Sequence, residues 1–258
     1  MKLGSGVMAF ALLALLFVGP VPSISQSALA KIPRLHDGKP DFNGVWDRPR
    51  VGDISKDGNA CGSGNSGCKQ QGGEISLTAA GQAAFKNPKK FDYAAYCQPW
   101  GYTRAWQTEY PVEILQTPQR LAILWESNNV FHVVPTDGRT LAKAADPTWM
   151  GKSVGRYEGD TLVIDTTGFN GVTWIDTAQH PSSDALQVTE RIRHLDADHL
   201  EYDVTWTDPK MYTKPIKNVR TFTRMKPGDE IMEWWCMENN RDLLNGHLVD
   251  GNYPGNSR

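Results

Sequence analysis

His180 lies in the stretch Trp174-Ile-Asp176-Thr-Ala-Gln-His180-Pro-Ser-Ser-Asp184, with an acid four residues to either side. An imidazole among carboxylates is ordinary equipment for proton transfer near neutral pH, because histidine titrates close to it. His180, with Asp176 as its partner, is the candidate catalytic pair; a loop histidine making ordinary hydrogen bonds is the competing reading. Four charges fall on the apolar phase of alternating segments. They are Glu190 in Leu186-x-Val188-x-Glu190-x-Ile192, Glu233 in Ile231-x-Glu233-x-Trp235, Arg156 after Val154, and Arg220 before Phe222. Unpaired burial of such groups is expensive, so they are expected to pair, either around a ligand cavity or as a structural network. Trp149, Trp174 and Tyr212 read as loop aromatics that could wall a ligand, since each covers it with a large flat surface. Packing of loops onto the body of the protein is the alternative.

Other chemistry is weaker. Gly151-Lys-Ser153-Val-Gly155 matches the serine-hydrolase nucleophile pattern, but that motif needs a helix after the serine, and a hairpin signal follows here. His132 alternates with Val130 and Val134 and reads as a core histidine. His194 and His199 flank Asp196 and Asp198 at a tight turn, a pattern that suits a solvated hairpin tip better than a metal site. No dinucleotide fingerprint, P-loop, H-E-x-x-H or EF-hand loop occurs, so neither a cofactor nor a metal is expected.

The elements that must position these residues are strands. From Val112 onward strand signals recur near 112–117, 119–127, 130–135, 152–158, 160–168, 186–195, 199–207, 216–225 and 229–237, separated by turn residues. No helical period of useful length intervenes, which argues against a parallel α/β sheet. The expected fold is all-β, an antiparallel meander closing into a barrel or a strongly curved sheet. Successive connections must then alternate between two ends. The tight turns at 158–160, 196–198 and 226–229 share one rim. The long connections 136–150, 169–185 and 208–215 share the other, where the chain from Met237 also emerges. Long loops in a compact domain are usually functional or disordered, and these are too aromatic for disorder.

Residues 31–111 form an irregular leader with a first strand around Phe42-Asn-Gly-Val-Trp46 and one short helix, capped by Ser76-Leu-Thr78 and running from Ala79 to Phe85. Residues 112–258 supply the barrel, and 31–258 reads as one structural unit. Ahead of it, Val7 to Val21 is almost wholly apolar and is followed by Ala28-Leu-Ala30, a small-x-small cleavage pattern. Residues 1–30 are therefore expected to be a signal peptide, placing the protein in the periplasm or outside the cell, with no membrane attachment after cleavage. Export makes disulfides possible for the four cysteines. Cys61 with Cys68, across a Gly/Ser/Asn stretch, and Cys97 with Cys236 is the preferred pairing of three.

Composition bounds the function. In 258 residues the formal net charge is −2 with no basic run, which argues against a nucleic-acid partner. Nine Trp, sixteen Pro and twenty-four Gly exclude a coiled coil and most helical bundles.

Asp146-Pro-Thr-Trp-Met-Gly151, Ser153-Val-Gly-Arg156, Glu158-Gly-Asp-Thr-Leu-Val163 and Thr189-Glu-Arg191 together resemble a functionally uncharacterised family of exported bacterial proteins, over about Lys39 to Asp242. The resemblance implies export and no particular activity. Gly44-Val-Trp46 before a meander is similar to the opening of lipocalin-like (calycin) barrels, which carry a G-x-W in their first strand, and implies such a barrel here. Two function classes follow. One is a carrier of a small apolar, aromatic or glycosidic molecule. The other is a small-molecule lyase, isomerase or hydrolase using a His–carboxylate pair on the long-loop rim.

Overall fold

The computed structural model describes residues 32–56, 69–71, 74–87, 92–141, 146–238 and 240–241. The signal-peptide reading and the Cys61–Cys68 pairing lie outside these residues.

Alternation builds the sheet. Along β9 (His199–Thr207) every second residue is buried: Leu200, Tyr202, Val204 and Trp206. β10 (Ile216–Arg224) buries Ile216, Asn218, Arg220 and Phe222 in the same phase. The remaining strands are β1 (Gly44–Asp47), β2 (Lys69–Gln71), β3 (Val112–Thr117), β4 (Arg120–Trp125), β5 (Val130–Pro135), β6 (Lys152–Glu158), β7 (Thr161–Thr167) and β8 (Gln187–His194). Nine of them form one continuous sheet in the order β5-β4-β3-β1-β10-β9-β8-β7-β6, every neighbouring pair antiparallel. β2 pairs with Lys217–Val219 of β10, beside the part that β1 leaves uncovered.

The sheet curls into a nearly closed barrel, and strand number explains its seam. An odd number of alternating strands leaves the two edges, β5 and β6, running in the same direction. They meet through side chains: His132 Nε2 and Ser153 Oγ are 2.6 Å apart. A Cβ on Gly155 would lie 2.9 Å from Thr136 Cγ2 and 3.1 Å from Val134 Cγ1, so a side chain there would have to push these seam residues aside.

Three expectations need correction. The connection 136–150 does not stay on the long-loop rim. Thr136 N bonds to Gln119 O beside the β3–β4 turn, whereas Thr148 N bonds to Gly168 O at the opposite end. Parallel edge strands require such a crossover. Residues 229–237 form no strand, because β9 occupies one side of β10 and β1 with β2 the other, leaving no edge to pair with. The segment instead runs down the outside, held by Asn129 at Trp234 and by Glu126 Oε2 at Met232 N, and still reaches the long-loop rim. Finally, Arg156 and Glu233 are exposed, as described below.

The parity of the other connections holds. Arg224 N bonds to Asp198 O, which places the turns 196–198 and 226–229 together, away from 169–185. The short helix α1 (Ala79–Lys86) starts where expected, with Thr78 Oγ1 accepting from Gly81 N. A second short helix, α2 (Tyr102–Ala105), enters the barrel mouth with its side chains buried. The interior is filled by Trp46, Trp106, Trp125, Trp206, Tyr102, Tyr202 and Phe222, all nearly inaccessible. Cys97 and Cys236 form a disulfide that ties the C-terminal segment to the leader.

Candidate functional site

The loop 169–185 makes its own small hairpin. Trp174 bridges to Pro181, and Ile175 N bonds to His180 O at 2.8 Å. Gln179, with φ 68°, closes the turn. Asp176 stabilises it by accepting from His180 N at 3.1 Å, an Asx-type local bond. This geometry folds the imidazole back onto its own loop. His180 Nδ1 lies 2.7 Å from Asp176 Oδ2, an oxygen that also accepts from Ile54 N at 2.8 Å. Both side chains are buried, and Phe85 of α1 stacks on the imidazole with centroids 5.1 Å apart.

An ionised carboxylate can only accept, so Nδ1 carries the proton and Nε2 keeps its lone pair in the neutral ring. Nε2 has no hydrogen-bond partner among the described residues. The arrangement is that of an oriented general base. Burial pulls the His180 pKa down, but the bond to Asp176 and the charges of Asp176 and Asp53 outweigh it, so the net shift is upward. Asp176→Asn is expected to move the His180 titration downward, read from its imidazole NMR shifts against pH. An unmoved titration would show that Asp176 does not control the ring.

Asp53, Asp176 and His180 place potential ligand atoms within 4.8 Å of one another. Both Asp176 oxygens accept N–H groups, from His180 N on one and from Ile54 N and the imidazole on the other. Asp53 and Phe85 carried no signal in the sequence, being more than ninety residues from His180 along the chain.

The other proposed site residues separate into groups. Trp174 is buried against Tyr93, and Trp149 sits beside the same ring. The Tyr212 hydroxyl donates to Pro181 O at 2.7 Å and braces the loop. These three support the rim. Arg156 stands on the outer face, paired with Asp165 and Glu158. Glu233 is exposed and accepts from its neighbour Trp235 Nε1 at 2.8 Å. Neither faces the interior.

Glu190 and Arg220 do. Glu190 accepts from the hydroxyls of Tyr102 and Tyr202, the latter at 2.6 Å. Burial pushes its pKa up to about 7, against the pull of those two hydrogen bonds and of Arg220. The Arg220 guanidinium is held by neutral acceptors: Gln107 Oε1 at 2.6 Å, Asn218 Oδ1 at 2.7 Å and Trp106 O at 2.9 Å. Ser153 Oγ, of the hydrolase-like pattern, lies between His132 Nε2 and Thr166 Oγ1, 2.6 Å from each, buried at the seam. Burial lowers the His132 pKa to about 4. The strand context makes Ser153 a seam residue. His194 is likewise structural, bonded to Asp41 O and Asp196 O and stacked on Phe42.

The long-loop rim also holds a pocket of about 270 Å³. Its lining includes the aromatics Trp100 and Tyr110, the charged Arg50, Arg104, Asp92 and Glu109, and Thr177, next to Asp176. No protein-family model and no curated protein matches the chain.

Proposed function

We propose that this protein is an exported small-molecule enzyme that works by acid–base catalysis at the long-loop rim. The observation that carries the reading is the His180–Asp176 pair, with Nδ1 2.7 Å from a buried carboxylate and Nε2 left unengaged. Asp176 fixes the ring orientation and the tautomer. Nε2 takes a proton from the substrate and returns it after bond rearrangement, the pattern of a lyase, isomerase or hydrolase. The Cys97–Cys236 disulfide fits an oxidising compartment, as the Ala28-Leu-Ala30 pattern does. No helix among the described residues is long and apolar enough to cross a membrane.

A carrier is the second reading, favoured by the aromatic residues Trp100 and Tyr110 in the lining of the rim pocket. On that reading the ligand sits at the rim, since tryptophan and tyrosine rings fill the barrel.

The test begins with mass spectrometry of small molecules that co-purify with protein made in its native host. Those compounds are then offered as substrates. His180→Ala is expected to cut the turnover of the folded protein by about 10²–10⁴-fold, and to cost stability as well because Asp176 loses its buried partner. Equal turnover by wild type and variant would remove the catalytic reading.

A further inference from the structure

We propose that helix α1 is a lid on the His180–Asp176 pair, hinged at Gly81 and shut by Phe85, and that a substrate reaches the imidazole only when the helix lifts. This rests on the reading of His180 as a general base.

Burial poses the problem. His180 is 5 % exposed and Asp176 0 %. A general base must come within about 3 Å of the proton it removes, with the rest of the substrate alongside it. A ring so enclosed offers no such approach, so an element packed on it must move. Among the described residues these elements are its own loop, the segment 52–56 and α1. The first two are pinned. Tyr212 donates to Pro181 O at 2.7 Å, and Asp208 accepts from Ser183 N at 2.6 Å, which ties the loop to the body of the protein. Segment 52–56 is tied to the loop in turn, Gly52 O accepting from Ala178 N and Asp176 Oδ2 from Ile54 N, both at 2.8 Å. Moving it would break a bond to the carboxylate that orients the imidazole.

The two ends of α1 are held differently. Its start is clamped: Thr78 N donates to Met211 O at 2.9 Å, and Thr78 Oγ1 donates to Lys210 O at 2.6 Å. Gly81 is the one buried residue of the helix, so close to Met211 that a Cβ would stand 2.1 Å from Met211 O. Glycine costs a helix interior about 1 kcal/mol against alanine, and here it admits that contact. Every other residue of α1 is exposed. Past Gly81, no residue of the helix hydrogen-bonds to another element among the described residues. The last turn instead lays the Phe85 ring on the imidazole, with the two planes 19° apart. Phe85 is 38 % exposed, so lifting it uncovers only part of a ring that water already reaches. Clamped at one end and held by a ring contact at the other, α1 can lift without disturbing the pair beneath it.

Diethyl pyrocarbonate tests the lid on the full chain. An unprotonated imidazole nitrogen attacks one of its carbonyls, ethyl carbonate leaves, and the ring gives up its other N–H proton. The reaction is run at about pH 8, above the ordinary histidine range, and peptide mass spectrometry follows His180 with N-acetylhistidine as the free reference. An open state populated at about 0.1–10 % labels His180 about 10–10³-fold more slowly than the reference. Phe85→Ala removes the cover and is expected to speed labelling by about tenfold or more. Gly81→Ala forces the helix off Met211 O and is expected to do the same. Alanine is the better helix former, so that gain is not melting of the helix. The buried His132 and His194 are expected to stay slow in both variants. Wild-type His180 labelled at the free rate, a wild-type rate in either folded variant, or His132 and His194 accelerating in step with His180 would overturn the proposal. The first of these removes the lid and leaves the dyad. Faster labelling of both variants, in a protein whose His180→Ala form turns over at the wild-type rate, removes the dyad and leaves α1 as a cover.

Discussion

Glu190→Ala is expected to destabilise the protein by about 3–5 kcal/mol, the cost of removing one member of a buried charged network. The substitution leaves the Tyr102 and Tyr202 hydroxyls without their acceptor and takes away one of the two buried carboxyls, Glu190 and Asp176, that act on Arg220. Chemical denaturation of wild type and variant at neutral pH reads this directly. A loss below about 1 kcal/mol would show that the tyrosines and Arg220 find other partners.

Glu190→Gln isolates the charge from the shape. The folded carboxyl titrates at about 7, raised from an ordinary value of 4.5, so the native state holds a proton over a range in which the unfolded chain has released it. Stability from this group is fully present below pH 4.5 and is lost as pH rises through 7, by roughly 3 kcal/mol. His132 works in the opposite sense. Its folded pKa of about 4 lies below the unfolded 6.5, so its contribution is present above 6.5 and lost as pH falls through 4. The two slopes overlap, and the wild-type curve alone will look flat. The difference between wild type and Glu190→Gln is expected to fall between pH 4.5 and 7. A difference curve without slope would place the native pKa near its ordinary value.

The disulfide is the second large term. Cys97 and Cys236 are 139 residues apart, and closing so long a loop restricts the unfolded chain strongly. The double variant Cys97→Ser with Cys236→Ser is expected to lose about 2–4 kcal/mol. At roughly 2–4 °C per kcal/mol for a chain of this size, the melting temperature should drop by about 4–16 °C. The segment it anchors, residues 230–238, has few other attachments: Asn129 and Glu126 to its backbone, and Trp234 on Trp100 and Tyr110. An unchanged melting temperature would mean that those attachments suffice.

The fold class and most strand faces were legible in the sequence by itself. Leu200, Tyr202, Val204 and Trp206 alternate, and a period of two has one physical meaning: one face in the core and the other in water. The same rule placed Glu190 and Arg220 inside. Asp176 and His180 were paired on a different ground, their separation of four residues within one loop.

Tertiary structure decided the rest. Arg156 was misplaced because the inward positions of β6 are Ser153 and Gly155, small residues that carry no apolar signal. They are small because β5 approaches them at the seam, a consequence of strand count. Glu233 alternates like a strand residue, but whether a strand forms depends on a free edge, and β10 offers none. Asp53 and Phe85 come to His180 only when segments more than fifty residues apart along the chain are folded against one another. Periodicity reports which face a residue takes, because that depends on its neighbours in the chain. It is silent on which residue of another strand or loop it meets, because that depends on how the sheet closes.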